Sequence, residues 1–359
     1  MAVASGIHVT SGEDLDLSVV VPMLNEEGNV RELVTRLMAV LSAHRTTTSE
    51  SFEIIVVDDG STDDTPNLLR ELVDTHAEVR CVQLATNFGQ EAAVQAGMLH
   101  TRGRWVLQTD GDLQHPPEEI PKLLAKRDEG YEIVYGRRAE RKDPWHRVIA
   151  SRLMVAFMRH GLGIRLPEDV TTFRVIDGEV ARLLAGLPEK KKFFSALAGW
   201  SGAKSISVPV AHSARHAGHT KYNLGKLINH TFDLMAGFSV RPLRLIGTSG
   251  AAIAVVGIAY ALFKIGQKLA GVDIETGYTS IFAAVVILGG LQLIALSVIG
   301  EYVGRIFIQT QDRPLYRVGR RLGFPDDALP ATAKSELFWS SRREGDGPEP
   351  AIDRAAGDR

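Results

Sequence analysis

Cysteine is almost absent from this chain of 359 residues, which contains only Cys81. A disulfide framework and a multi-cysteine zinc site are therefore both excluded. Charge of one sign is also lacking, because 41 basic and 43 acidic residues give a formal net charge of −2. That balance excludes the large basic field of a nucleic-acid binder, so no nucleic-acid partner is expected.

Two nucleotide-binding motifs are missing as well. Neither the P-loop pattern nor G-x-G-x-x-G occurs, so a nucleotide would not be held in either of those manners. The N-terminal segment contains Glu13, Asp14 and Asp16 and no apolar core of signal-peptide length, so no secretory signal is predicted.

What the chain has instead is an alternation of short apolar runs with segments of helical periodicity. Strands are predicted at 17–21, 52–57, 79–84, 105–108 and 206–210, and another from 134 leads into a basic turn at 136–141. Helices are predicted at 29–44, from 65 onward, at 91–100 and at 152–161, and a loop at 167–174. This order predicts a doubly wound α/β fold around a parallel sheet.

A polar cluster follows each of the first four predicted strands. The clusters are Asn25 with Glu26, Asp58 with Asp59, Asn87 with Gly89, and Asp110 with Asp112. Any one of them alone would more often be an ordinary surface loop. Because the carboxyl ends of parallel strands share one edge of a sheet, the four clusters are expected to converge where such folds bind ligands.

The pair Asp110 and Asp112 indicates what that ligand contains. Two carboxylates one residue apart at a strand end can share one hard cation, and Mg²⁺ or Mn²⁺ prefers oxygen ligands that include phosphates. The sequence therefore predicts a metal–diphosphate site at this edge.

Two long apolar segments distinguish the last third of the chain. Residues 245–263 and 276–300 are uncharged, and each is long enough to cross a bilayer core of ~30 Å. Basic residues flank this pair on its outer sides, which by the positive-inside rule places the α/β domain and the C-terminus in the cytoplasm. An apolar stripe with lysines before the first segment predicts an interfacial amphipathic helix.

The expected organisation follows from these features. It comprises a flexible leader at 1–16, an α/β catalytic domain at 17–216, an interfacial segment at 217–241, two transmembrane helices within 242–308 and a cytosolic, largely disordered tail at 309–359.

An ordered set of motifs carries a family resemblance. The motifs are Val-Val-Pro-Met-Leu-Asn-Glu (20–26), Val-Asp-Asp-Gly-Ser (57–61), Asn-Phe-Gly-Gln (87–90), Asp-Gly-Asp-Leu-Gln-His-Pro-Pro (110–117), Thr-Phe-Arg (172–174), Gly-His-Thr-Lys-Tyr (218–222), Pro-Leu-Arg-Leu (242–245), Gly-Glu-Tyr-Val-Gly-Arg (300–305) and Arg-Pro-Leu-Tyr (313–316). The chain thereby resembles a family 2 glycosyltransferase of the polyprenyl-phosphate type. The resemblance implies a GT-A fold and inverting transfer of a sugar from a UDP- or GDP-sugar to a polyprenyl phosphate. Family analogy also suggests a homo-oligomer, a tetramer. The Gln-x-x-Arg-Trp signature of processive synthases is absent, which favours transfer of a single sugar.

The resemblance also implies roles for individual residues. The residues expected around the nucleotide-sugar are Pro22, Asn25, Glu26, Asp58, Asp59, Asn87, Gly89 and Asp110. Mg²⁺ or Mn²⁺ would be held by Asp110, Asp112 and Gln114. The catalytic group would comprise Asp169, Arg138 and Arg174. One departure from the family pattern is Thr171-Thr172, where relatives often have Gly-Asp.

The acceptor side can be argued from chemistry. A phosphate monoester carries about −1.5 to −2 charges at neutral pH and is already nucleophilic. It therefore needs cationic capture more than a strong base. The candidates for this capture are Arg138, Arg174, Arg215 and Lys221. Asp169 matches a position often assigned as the base, and positioning or electrostatic stabilisation is an equally good role for it.

Two other functions stay open at this point. One is sugar transfer to a lipid hydroxyl, such as that of a diacylglycerol or ceramide. The other is a non-catalytic membrane scaffold that binds nucleotide-sugars. The cationic candidates favour a phosphate acceptor over the first, and the intact carboxylate set disfavours the second.

Overall fold

The computed structural model describes residues 15–138, 170–187, 189, 194–211, 241–270, 277–311 and 313–324. The strands in this part of the chain are β1 (Leu17–Met23), β2 (Phe52–Asp58), β3 (Val79–Leu84), β4 (Trp105–Gln108), β5 (Ile133–Arg138), β6 (Val170–Asp177), β7 (Ser205–Val210) and β8 (Val318–Leu322). The helices are α1 (Val30–Thr48), α2 (Thr65–Thr75), α3 (Gln90–Leu99), α4 (Ile120–Arg127), α5 (Gly178–Gly186), α6 (Phe194–Ser201), α7 (Arg241–Leu269) and α8 (Tyr278–Thr310).

All eight described strands form one mixed sheet, in the order β7-β5-β6-β4-β1-β2-β3-β8. Strands β1 to β4 are mutually parallel, as predicted. β6 is antiparallel to β4 and β5, and β8 is antiparallel to β3. The order reverses between β1 and β4, which is the switch point where doubly wound sheets bind ligands.

Helices cover both faces of this sheet. The buried residues of α1, α2 and α4 pack on one face, where they meet Val19 and Val21. Those of α3, α5 and α6 pack on the other face, where they meet Val20. β1 and β2 are buried along their whole length, which explains their continuous apolar sequences.

Two predicted boundaries were wrong in the middle of the chain. Residues Gly136 to Arg138 belong to β5, so the predicted basic turn begins later than 136. Residues 170–174, predicted as loop, form the first part of β6. The predicted helix at 152–161 lies outside the described residues, as does the interfacial segment predicted at 217–241 except for Arg241, which begins α7.

The tail prediction also needs correction. Residues 318–322, assigned by sequence to a largely disordered tail, form β8 and pair with β3 at the edge of the sheet. Tyr316, just before β8, is 4% exposed and packs in the core with α3. The chain after the apolar helices therefore returns to the α/β domain.

The apolar helices are longer than the segments predicted from hydropathy. Within the described residues, one stretch, Ile287–Thr310 of α8, is long and apolar enough to cross a membrane, and Ile246–Tyr260 of α7 is a shorter apolar stretch. Only one of the two predicted spans is thereby identified.

Candidate active site

The loops after β1 and β2 interlock at the carboxyl edge of the sheet. Asn25 adopts a left-handed conformation with φ of 54°, which asparagine tolerates better than most residues. Its backbone N–H donates to Ser61 Oγ at 2.9 Å, and its Oδ1 accepts from the Thr62 N–H at 2.8 Å. The Glu26 N–H donates to Thr65 Oγ1 at 3.0 Å, so the start of α2 is tied to the same loop.

Asp59 joins the loop after β2 to the loop after β3. Its two carboxylate oxygens accept the backbone N–H groups of Phe88 and Gly89 at 2.8 and 2.9 Å. Burial raises the pKa of Asp59, although these two N–H groups oppose the rise; the charge of Asp58 adds to it. Gly89 has φ of 96°, so the loop needs glycine at the residue before α3.

Asp110 is held by neutral donors on both oxygens. Gln90 Nε2, at the start of α3, donates to Oδ1 at 2.8 Å, and the Thr172 hydroxyl of β6 donates to Oδ2. Burial raises the pKa of Asp110, and the charge of Asp112 adds to the rise while the Thr172 hydrogen bond opposes it.

Asp112 closes a tight turn. Its Oδ1 accepts the Gln114 N–H at 3.1 Å and its Oδ2 accepts Gln114 Nε2 at 2.6 Å. The intervening Leu113 is buried with φ of 57°, a conformation that a leucine adopts only under constraint. His115 stacks on Phe173 of β6, with ring centroids 5.4 Å apart, and anchors the turn.

The residues around Asp110 and Asp112 suit a divalent cation shared with a ligand. Within the described residues, no group of three His, Cys, Asp or Glu side chains could hold a metal alone. Mg²⁺ is commonly bound through one or two carboxylates together with substrate phosphates and water. The mutual repulsion of Asp110 and Asp112, which raises the pKa of Asp110, is relieved by a cation between them. The amide nitrogen of Gln114 faces Asp112, so Gln114 orients that carboxylate; direct ligation through its Oε1 remains a prediction.

Arg174 lies below the site rather than in it. It is 3% exposed, donates twice to Gln108 Oε1 at 2.9 and 2.6 Å, and stacks over Phe194. Burial lowers the pKa of its guanidinium, while the carboxyl groups of Glu91 and Asp110 oppose the shift. This placement does not support the direct phosphate contact predicted for Arg174, and it indicates a supporting role beneath Asp110.

Comparisons with known proteins cover most of the chain. The model described as glycosyl transferase family 2 matches residues 18–181. An uncharacterised glycosyltransferase of Synechocystis is 38% identical over 306 residues, which cover 85% of this chain and 95% of that protein. The chain belongs to glycosyltransferase family 2. It is therefore a glycosyltransferase, and its sheet is the GT-A-like mixed α/β sheet.

Other likenesses extend to the C-terminal third. The model described as the GtrB C-terminal hairpin matches residues 241–306. An undecaprenyl-phosphate 4-deoxy-4-formamido-L-arabinose transferase of Edwardsiella ictaluri is 34% identical over 316 residues, covering 87% of this chain and 96% of that protein. A mannosyltransferase of Pyrobaculum calidifontis, solved with GDP-Man and Mn²⁺, is 20% identical and covers 79% of this chain and 87% of that chain. Its TM-score is 0.42.

For this family 2 glycosyltransferase, several predicted acceptor residues lie beyond the described part. Asp169, Arg215 and Lys221 are among them, so their roles remain predictions. Arg138 ends β5, which is parallel through β6 to β4, so its backbone lies at the same sheet edge as Asp110.

Sequence reasoning missed two residues that the structure brings to Asp110. Gln90 lies in a motif used for the resemblance but received no role, and Thr172 was noted only as a departure. The sequence predicted a helix after β3, but nothing in it indicated that the Gln90 side chain would reach Asp110, just beyond the end of β4. The position of Thr172 could be recognised only once 170–174 was known to be a strand.

Proposed function

We propose that this enzyme transfers a single sugar, with inversion, from a UDP- or GDP-sugar to a polyprenyl phosphate at the cytoplasmic face of the membrane. The observation that carries the proposal is the course of the chain between α8 and β8. Thr310 ends the apolar helix, and Arg317, just before β8, hydrogen-bonds through its carbonyl to the Ala85 N–H at 2.9 Å.

We call the carboxyl edge of the sheet, where Asp58, Asp59, Asp110 and Asp112 lie, the donor edge. This course of the chain connects the apolar helix to the donor edge over a short distance. β8 is antiparallel to β3, so it starts at the carboxyl end of β3, next to the loop that Asp59 holds. Six residues lie between Thr310 and Arg317, and the seven Cα–Cα steps that join them span at most about 25 Å in a fully extended chain. The edge that would grip the diphosphate thus lies close to the end of the helix, which favours an acceptor in the membrane.

The same course favours two membrane crossings. β7 and β8 belong to one sheet, so the chain between them must cross a membrane an even number of times. If α8 crosses, α7 must cross as well. Both helices expose large apolar side chains, for example Val256 at 69% on α7 and Leu293 at 70% on α8, which lipid would cover. Both therefore suit a hairpin whose two ends lie on the cytoplasmic side.

The names of relatives support the acceptor class. The Edwardsiella ictaluri relative and a Pseudomonas aeruginosa relative, 33% identical over 331 residues, are both named undecaprenyl-phosphate 4-deoxy-4-formamido-L-arabinose transferases. Their match covers 96% of each of those proteins, so it includes the hairpin as well as the catalytic sheet.

The chemistry divides between the two sides of the site. Pro22, Asn25, Asp58, Asp59 and the loop from Asn87 would hold the nucleoside. When bound at Asp110 and Asp112, Mg²⁺ or Mn²⁺ supplies charge neutralisation on the leaving nucleoside diphosphate.

On the acceptor side, an oxygen of the lipid phosphate forms the new bond to the anomeric carbon while the bond to the diphosphate oxygen breaks. A dianionic phosphate loses no proton in this step, so Asp169 serves by positioning or by stabilising the developing oxocarbenium. Arg138, Arg215 and Lys221 are the cations that would orient that phosphate.

A donor panel tests the proposal directly. The purified chain is incubated with UDP- and GDP-sugars, undecaprenyl phosphate and Mg²⁺ or Mn²⁺, and the lipids are analysed by mass spectrometry. We expect one sugar added to the lipid phosphate and loss of turnover in Asp112→Asn. A sugar found only on a lipid hydroxyl would support the diacylglycerol or ceramide alternative. Tight nucleotide binding without turnover would support a scaffold.

A further inference from the structure

The donor edge is rich in negative charge, and the loop on its β3 side contributes no cation of its own. Four carboxylates lie at this edge, those of Asp58, Asp59, Asp110 and Asp112. A nucleoside diphosphate brings further negative charge. The loop between β3 and α3, residues 85–89, contains no basic residue. Arg174 is buried on Gln108. A single divalent cation leaves part of this charge uncompensated, so a protein cation on the β3 side would add to Arg138, which ends β5 on the other side of the site.

The residue just before β8, Arg317, is an exposed arginine on the β3 side of the donor edge. The carbonyl of Arg317 accepts the Ala85 N–H at 2.9 Å, and this bond fixes the Arg317 backbone beside the β3–α3 loop. The buried Tyr316 and the partly buried Val318, which pack in the core on either side, hold it there. Arg317 itself is exposed, and within the described residues its guanidinium makes no ion pair with a carboxylate.

The loop next to Arg317 is fixed in position and open to solvent. Asp59 holds Phe88 and Gly89 from below, while Thr86, Asn87 and Phe88 are exposed. Gly60 approaches the backbone of Thr86 so closely that a side chain at residue 60 would collide with it. The position of the loop is thus fixed from the β2 side, and Arg317 flanks it on the β8 side.

We infer that Arg317, supplied by the strand that follows the membrane hairpin, binds a phosphate group at the edge between the β3–α3 loop and the membrane. The inference rests on the proposed function. A guanidinium offers forked donors that match phosphate oxygens, and such charge-assisted hydrogen bonds are among the stronger ones. The phosphate is either that of the nucleotide donor or that of the lipid acceptor.

Arg320 provides a matched control. It is another exposed arginine, three residues after Arg317 and within β8, but it pairs with Gln83 and lies further from the loop. Within the described residues it also makes no ion pair, so removing its charge changes the net charge of β8 equally.

The experiment compares Arg317→Gln, Arg317→Lys and Arg320→Gln in the full chain, in detergent. UDP and GDP binding is measured by calorimetry with Mn²⁺, and KM is measured for the nucleotide-sugar and for undecaprenyl phosphate. For Arg317→Gln we expect a change of about 10-fold or more in one of two quantities: either nucleotide affinity falls or the KM for undecaprenyl phosphate rises. For Arg320→Gln we expect no change in either quantity. Weaker nucleotide binding identifies the donor phosphate, whereas a raised KM for the lipid alone identifies the acceptor phosphate.

Equal behaviour of Arg317→Gln and Arg320→Gln in both arms would overturn the inference. If Arg317→Gln lowers the unfolding temperature, Arg317→Lys becomes the deciding variant, because lysine keeps the charge but lacks the forked donors. Wild-type nucleotide affinity and wild-type KM for the lipid in Arg317→Lys would then also overturn the inference. A wild type that binds nucleotide but glycosylates no polyprenyl phosphate contradicts the proposed function instead, and the nucleotide arm still tests Arg317.

Discussion

Neutral donors hold the carboxylates at the donor edge. Asp59 accepts two backbone N–H groups, Asp110 accepts Gln90 and Thr172, and Asp112 accepts Gln114. Such donors fix the direction of each carboxylate without cancelling its charge. The charge therefore remains available to a cation that arrives with the substrate.

Asp59 should be needed to shape the nucleotide pocket. In Asp59→Asn, one of the two acceptor oxygens becomes an amide that cannot accept the N–H of Phe88 or Gly89. Loss of a hydrogen bond to a charged group costs about 1.5–3 kcal/mol, so nucleotide affinity should fall about 10-fold or more. Calorimetry with UDP and GDP measures the effect. Asp74→Asn, an exposed acid at the end of α2, is the control; equal affinities for both variants would contradict this role.

Thr172 should set the pH dependence of activity through Asp110. Its hydroxyl lowers the pKa of Asp110 against the effect of burial. In Thr172→Val that pKa rises further, so the acidic limb of the activity profile should move to higher pH and the requirement for Mn²⁺ should increase. Thr172→Ser keeps the hydroxyl and should keep the wild-type profile. An unchanged acidic limb in Thr172→Val would show that Asp110 does not govern it.

At the scale of elements, the sequence predicted β1 to β4, β5 and β7 but missed β8 and the first part of β6. β1 and β2 have continuous apolar runs, and β3 and β4 were placed at their observed bounds. The first part of β6, residues 170–174, was predicted as loop because Thr171, Thr172 and Arg174 interrupt its apolar pattern. The structure explains these polar residues. The Thr172 hydroxyl donates to Asp110, and the Arg174 guanidinium donates to Gln108 of the neighbouring strand β4. β8 was missed because arginines 320 and 321 and Gly319 obscure a strand that only pairing with β3 stabilises.

The attachment of β8 should make stability depend on pH. His100 is 1% exposed, and its Nε2 accepts Arg321 Nε while its Nδ1 donates to the Ala96 carbonyl, which requires a neutral ring. Burial lowers the pKa of His100 from 6.5 to about 4. Because the unfolded chain binds the proton more readily, stability is fully present above about pH 6.5 and falls by up to about 3 kcal/mol towards pH 4.

The variant His100→Gln separates this effect from general acid sensitivity. Its side chain does not titrate, so the decline in unfolding temperature between pH 6.5 and pH 4 should be shallower than in the wild type. Thermal unfolding in detergent across this range measures both slopes. Identical slopes would place the acid sensitivity elsewhere in the chain.

At the scale of the whole molecule, the sheet contains residues from both sides of the apolar hairpin. Hydropathy indicated two segments, and the positive-inside rule gave their orientation, but neither could reveal that β8 returns to the sheet next to β3. That return is a long-range pairing between residues near 82 and 321, and no local pattern in the chain encodes it. For the proposed membrane hairpin, this return requires an even number of crossings and would place the donor edge near the membrane.

Cysteine labelling tests this topology. Cys81 is fully buried and burial raises the pKa of its thiol, so the native chain should react little with a membrane-impermeant maleimide. Asp273→Cys introduces a thiol between α7 and α8, and Arg313→Cys introduces one between α8 and β8. In sealed right-side-out vesicles we expect labelling of Asp273→Cys and protection of Arg313→Cys, and the reverse in inverted vesicles. Because β8 pairs within the same sheet as β7, labelling of both variants from the same side would contradict a hairpin that crosses twice.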